Sequence, residues 1–174
     1  MLQLFKKKSF VIWLTGVSGV GKTTTAEALR KHFLKKKYKV EYLNGDVIRS
    51  VFNNTSFDRQ SINDHIKKIG FFASILEKNG IVVICDFISP FEESRKFVES
   101  ICKDFYLIYL YSNNVEKRDS KGLYKRYRNE EIKNIAGMDI PYEIPEVDYI
   151  KKIKISTDVF STKQTVNKII RLID

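Results

Sequence analysis

The stretch FVIWLTGVSGVGKTTT, residues 10–25, leaves a chain few ways to fold. An apolar run, FVIWL, meets Gly16-Val-Ser-Gly-Val-Gly21-Lys22-Thr23, which fits the pattern G-x-x-x-x-G-K-[ST]. Apolar residues without polar alternation read as a strand buried on both faces. The glycines let the backbone curl into a ring of N–H donors, and the helix that opens behind them adds its positive end. Gly16, Ser18, Gly19, Gly21 and Thr24 are therefore expected around the phosphates of ATP. Lys22 is expected to neutralise the β and γ phosphates, and the Thr23 hydroxyl to hold Mg²⁺. From average residue usage, a chance match in a chain this long has odds below about one in a hundred.

Beyond this stretch, strand-like runs alternate with helical patterns. KVEYLN (39–44), GIVVICDF (80–87), FYLIYLY (105–111) and KKIKIST (151–157) read as four further strands. Helices are predicted from Thr23 to about Lys36, over Asp58–Lys78, over Glu92–Ile101 and over Ser161–Ile173. Their inward faces would carry Ala26, Leu29, Phe33 and Leu34; Ile62, Ile66, Ile69, Phe72, Ala73 and Leu76; and Val166, Ile169, Ile170 and Ile173. Such alternation predicts an α/β fold: a five-stranded, mostly parallel sheet with helices on both faces and ligands at the carboxyl ends of the strands. The only prolines are Pro90, Pro141 and Pro145, and no linker or repeat divides the 174 residues. One domain spanning residues 1–174 is expected.

The net charge of +10 admits three readings: a nucleic-acid partner, attraction of polyanionic nucleotides, or a lysine-rich background. The last two are favoured, because the runs Lys6–Lys8 and Lys35–Lys37 fall at a strand entry and near a helix end. Cys85 and Cys102 have no accompanying Cys or His cluster, so neither zinc nor a disulfide framework is suggested. No apolar run approaches the ~18 residues of a membrane span, and the short one near the N-terminus lacks a cleavage site. A cytoplasmic protein that engages no membrane is expected.

A phosphate-binding loop serves switches, motors and kinases alike. A guanine-selecting N-K-x-D segment is missing, and a motor needs more chain. A small kinase remains, and small kinases close a basic lid over the phosphates. KRDSKGLYKRYR, residues 117–128, is dense in Lys and Arg around Gly122 and suits a lid extending to about residue 137; a solvated helix face is the plainer reading. Asp86 ends a strand, where an acid either orients Mg²⁺ or caps the following turn.

Four blocks then carry a resemblance to the adenylylsulfate kinase family over nearly the full length: GVSGVGKTT, LNGDVIR, FISPFEESR and RDSKGLYKR, with GMDIPYEIPE as a weaker fifth. That family moves the γ-phosphoryl group of ATP to the ribose 3′-hydroxyl of adenylyl sulfate with Mg²⁺, and commonly forms homodimers. The resemblance implies that Asp46 lies beside the acceptor hydroxyl as base or orienter; a helix N-cap is its plainer role. Arg49 would grip the 5′-phosphate side of the acceptor, with Arg95 supporting the same anion site. Ser89 stands where family accounts have placed a phosphoserine. In-line transfer needs only positioning, so Ser89 is expected to bond a phosphate or cap the next helix. Lys121, Gly122 and Leu123 would belong to the lid and touch the acceptor, and Phe57 would stack on its base. Arg118 and Thr157 would frame the ATP site.

Several positions depart from the family pattern. The acid opening D-G-D is Asn44, and the next family Asn is Val47. Aligned from Phe57 and Ile66, a family Arg becomes Ile62 and a family Asn becomes His65; a shifted register would use Arg59 instead. The second stacking Phe is Ile135, and a Thr is Ala136. A charge-assisted contact contributes about 1.5–3 kcal/mol and base stacking about 1–3 kcal/mol. These departures gather at the acceptor end. They predict a different nucleotide acceptor bound near Ile62, His65 and Ile135. Cytidine diphosphoramidate, the acceptor of a related kinase that serves capsular O-methyl phosphoramidate synthesis, is the expectation. Adenylyl sulfate is the alternative, and a nucleic-acid-linked ATPase or nucleotide-binding regulator is the competing class.

Overall fold

The computed structural model describes residues 8–52, 56–145 and 148–174, so Lys6, Lys7 and Glu146 of the segments above lie outside it. Five strands form one wholly parallel sheet: β1 Val11–Thr15, β2 Val40–Asn44, β3 Val82–Asp86, β4 Phe105–Tyr111 and β5 Lys152–Ser156. Their order is β2-β3-β1-β4-β5. Side chains alternate along a strand. Ile12 and Leu14 therefore join one core layer, and Val11 and Trp13 the other. Both layers are apolar, which is why the β1 run carries no polar alternation.

The first layer is closed by α1 Lys22–Lys35 and α6 Thr162–Ile173 through Ala26, Leu29, Phe33, Val166 and Ile169. The second is closed by α3 Arg59–Lys78 and α4 Glu92–Ile101 through Ile66, Ile69, Ala73 and Val98. Local sequence fixes the starts of two of these helices. The Asp58 side chain accepts from Ser61 N at 2.9 Å, and Ser161 forms a reciprocal capping box with Gln164. Such caps contribute about 1 kcal/mol each.

The predicted inward faces were drawn too wide. Leu34 and Phe72 are exposed, and Ile170 and Ile173 only half-buried. Phe72 stacks instead on Phe52, with ring centroids 6.3 Å apart. Two short helices had no periodic signal: α2 Gly45–Val51 and α5 Leu123–Arg128. Both lie at the carboxyl end of the sheet. There β1 has β3 on one side and β4 on the other, the switch point at which open α/β sheets bind ligands. Cys85 and Cys102 are free thiols, and burial pushes both above the usual thiol range.

Candidate active site

A cavity of about 480 Å³ opens at this switch point, a size that suits a small-molecule ligand. One wall is the phosphate-binding loop. Gly16 leaves β1 at φ 141°, and a Cβ there would stand 2.2 Å from the carbonyl oxygen of Leu110. No other residue lets the loop pass so close to β4. Ser18, Gly19, Gly21, Lys22, Thr23 and Thr24 line the cavity as expected. The Lys22 ammonium is buried and donates to the carbonyls of Gly16 (2.9 Å) and Val17 (3.0 Å). Burial lowers its pKa to about 8, against the opposing pull of Asp86 and Asp46.

Thr23 and Asp86, both predicted at the metal, meet directly: Thr23 Oγ1 donates to Asp86 Oδ2 at 2.6 Å. Their donors are all hard oxygens, which suits Mg²⁺, an ion that keeps several waters and takes the rest of its shell from phosphates. Among the described residues no cluster of three or more His, Cys, Asp or Glu stands ready to hold a metal without a nucleotide. The capping alternative for Asp86 finds no support, because its bonds run to Thr23, Tyr42 and Asn44 side chains.

Asp46 rides in the first turn of α2. The N-cap is Asn44, whose Oδ1 accepts from Asp46 N and Val47 N, both at 3.1 Å, so the capping role considered for Asp46 belongs two residues earlier. Gly45 is required by the same turn, since a Cβ there would lie 2.6 Å from the Asp86 carbonyl oxygen. The Asp46 carboxylate is exposed at the cavity wall and ion-paired with Lys121 of the 117–128 segment. That segment also reaches the phosphate-binding loop, where Tyr124 OH donates to the Ser18 carbonyl at 2.9 Å.

The opposite wall gathers Arg49, Phe57, Ile62 and His65. Arg49 lies over the Phe57 ring at 4.9 Å, and its buried Nη1 has no hydrogen-bond partner among the described residues. Burial lowers the Arg49 pKa. Ile62 packs with Phe91, Ile140 and Phe57. His65 is 95% buried between the rings of Phe52 and Phe87, and its Nε2 likewise lacks a partner. Burial, then Arg49 and Lys68, depresses its pKa, so the imidazole is neutral near pH 7. Arg59, the substitute guanidinium, is held elsewhere, stacked on Phe91 at 4.3 Å and paired with Glu143.

Other expectations need correction. Arg95 is wholly buried and cannot grip an acceptor anion. Its Nη1 donates to the Ser89 carbonyl and its Nη2 to the Glu143 carbonyl, both at 2.6 Å, and the guanidinium pairs with Glu92. It ties α4 to the segment after Pro141. Ser89 neither caps α4 nor offers its hydroxyl freely: Oγ accepts from Trp13 Nε1 at 2.9 Å and sits 3.3 Å from Thr15 Oγ1. Its φ of 39° is left-handed backbone, held in place by Arg95. Gly122 and Leu123 form the turn into α5 and stand off the main cavity, whose wall here is Arg118, Asp119, Ser120 and Lys121. Ile135 is buried, and its neighbours Asn134 and Ala136 line the cavity in its place. Among the described residues, Thr157 meets the site through Arg118, which donates to its carbonyl (3.1 Å) and to its Oγ1 (3.2 Å).

Tyr42 escaped sequence reasoning. Its hydroxyl donates to Asp86 Oδ2 at 3.1 Å, and burial raises its pKa to about 12, so it stays a donor. The available signal was its spacing: two residues before Asn44 on one strand, it shares that face. Asp119 was also passed over. Its two oxygens accept from Leu123 N (2.7 Å) and Lys125 N (3.0 Å) and so fix the start of α5.

Comparison with known proteins agrees with this geometry. The family model described as adenylylsulphate kinase matches residues 8–151. The adenylyl-sulfate kinase of Gloeothece citriformis is 37% identical over 172 residues, covering 97% of this chain and 96% of that one. The adenylyl-sulfate kinase of Staphylococcus carnosus is 36% identical over 172 residues, covering 96% and 85%. The structure of Mycobacterium tuberculosis APS kinase CysC in complex with AMPPNP and APS aligns with a TM-score of 0.87 at 26% identity, covering 95% of this chain and 98% of that one. Likeness along nearly the whole chain, joined to a phosphate-binding loop that faces a carboxylate across one cavity, makes this an ATP-dependent phosphotransferase with an alcohol acceptor, and the chain belongs to the adenylylsulphate kinase family.

Proposed function

We propose that the chain transfers the γ-phosphoryl group of ATP to the ribose 3′-hydroxyl of adenylyl sulfate, giving ADP and 3′-phosphoadenylyl sulfate. The observation that carries this reading is the likeness over 95% of the chain to an enzyme solved with AMPPNP and APS together. The loop N–H groups and Lys22 would hold the β and γ phosphates. Thr23 and Asp86 would hold Mg²⁺, which supplies charge neutralisation between those phosphates. Asp46 would accept the proton of the attacking hydroxyl, after Lys121 shifts from the carboxylate to the phosphoryl group. Residues 117–137 would act as the lid, Arg49 and Phe57 would hold the acceptor, and the enzyme would work as a cytoplasmic homodimer within a single domain. No helix among the described residues is long and apolar enough to cross a membrane.

The relatives named above favour adenylyl sulfate over cytidine diphosphoramidate, the acceptor expected from the departures. One observation keeps the second reading: His65 and Ile62 line the cavity where an amide and a guanidinium stand in the family pattern, and His65 Nε2 has no partner among the described residues. The kcat/KM values for the two acceptors separate them. Adenylyl sulfate is expected to lead by about tenfold or more, the span of one lost charge-assisted contact. A tenfold lead for cytidine diphosphoramidate would reassign the acceptor.

A further inference from the structure

Asp86 does not stand alone at the end of β3. Its Oδ2 collects three side-chain donors: Thr23 Oγ1 at 2.6 Å, Tyr42 OH at 3.1 Å and Asn44 Nδ2 at 3.5 Å. Asn44 Nδ2 also donates to Tyr42 OH at 2.9 Å, so amide, phenol and carboxylate form a closed triangle. Asn44 and Asp86 are direct partners in the β2–β3 register. The other end of the same amide caps α2, with Oδ1 accepting from Asp46 N and Val47 N. One side chain thus spans two groups that must act together, the metal-side carboxylate and the helix that carries Asp46 and Arg49.

Only an amide can do this. A carboxylate at position 44 would cap α2 equally well, but it has no donor for Tyr42 and would set a second negative charge against Asp86. A serine would keep an acceptor for the cap and lose the reach. Tyr42 completes the arrangement, because its single hydroxyl accepts from Asn44 and donates to Asp86. Three donors hold Oδ2 in place, and among the described residues no hydrogen bond engages Oδ1, which leaves that oxygen to meet a cation.

We propose that Tyr42 and Asn44 are positioning residues for magnesium: they hold Asp86 in its metal-binding orientation, and through the Asn44 amide they lock the start of α2 to that orientation. Neither residue touches the reacting atoms. The proposal rests on the Mg–ATP half of the function above and is independent of which acceptor is used.

The test is calorimetric titration of the full chain with ATP at a series of free Mg²⁺ concentrations, with no acceptor present. Tyr42→Phe is expected to raise the free Mg²⁺ that half-restores tight ATP binding by about tenfold, the low end of what outer-shell partners contribute to metal affinity. ATP affinity in excess chelator should stay at the wild-type value. Asn44→Ser should show the same shift. Asn44→Ala, which also removes the cap, should add a loss of kcat that saturating Mg²⁺ does not restore. Wild-type Mg²⁺ dependence in both Tyr42→Phe and Asn44→Ser would overturn the proposal. So would an equal loss of ATP affinity with and without Mg²⁺, the mark of a merely structural role. A wild-type chain whose ATP affinity ignores Mg²⁺ would overturn it too. A change of acceptor in the kcat/KM comparison would leave all of these readings untouched.

Discussion

The two walls of the cavity are built differently. The donor wall is mostly backbone: a loop of glycines, a helix start and a lysine bonded to its own loop carbonyls. Two of its polar side chains, Thr23 and Asp86, are already partnered with each other. The acceptor wall is made of side chains, and two of its buried nitrogens, Arg49 Nη1 and His65 Nε2, lack partners among the described residues. Backbone geometry tolerates sequence change as long as the glycines persist. A side-chain wall changes its ligand with every substitution.

Asp46 sits between the walls and offers the sharpest break. Asp46→Asn keeps the size of the side chain and removes the proposed proton acceptor, so kcat should fall by about 10²–10⁴-fold. ATP affinity should stay largely intact, because no hydrogen bond to the loop is lost; steady-state turnover with equilibrium ATP binding reads both. A kcat near wild type would remove Asp46 from the chemistry and leave the acceptor wall without its reactive group.

Lys22 tests the donor wall. Burial lowers its pKa to about 8, so the free enzyme loses this cation as the pH rises through that value. In the proposed binding mode ATP needs the charged form. Affinity should therefore be full below pH 8 and decline above it, by up to about tenfold per pH unit, because binding must then also take up a proton. Titration between pH 7 and 10 measures the slope, and Lys22→Met should flatten it. A wild-type affinity independent of pH over this range would mean that the ammonium keeps its proton in the buried loop.

Ser89→Ala should have the smallest effect on turnover. The variant leaves the buried Trp13 Nε1 without its acceptor, which costs about 1–3 kcal/mol of stability, visible as a lower Tm. The kcat of the folded enzyme should remain within about twofold of wild type, as direct in-line transfer requires. A fall of several orders of magnitude would revive a phosphoserine and move a catalytic group to the floor of the cavity.

The sheet and its four long helices were legible because their signals are local: unbroken apolar strands and periodic helices. The phosphate-binding loop was legible for the same reason, being one contiguous motif. Helix α2 was not, since GDVIRSV has no apolar period and its start depends on Asn44 and on the approach of Gly45 to the Asp86 carbonyl. Arg95 was misread because an arginine in a phosphate-handling block looks like a ligand contact, and only the fold turns it inward to the Ser89 and Glu143 carbonyls. Leu34 and Phe72 show the limit of periodicity, which marks a face without saying how much of it is covered. Tyr42 needed the strand register to bring it to Asp86.

The bond from Trp13 to Ser89 has an experimental use. Trp13 is the chain's single tryptophan. Its indole stacks on Phe87 at 5.5 Å, and Phe87 and Ser89 both line the cavity. The protein therefore carries its own fluorophore beneath the acceptor wall, with no second indole to obscure it. Ligand entry on that side is open to optical recording in the unlabelled, unmutated chain.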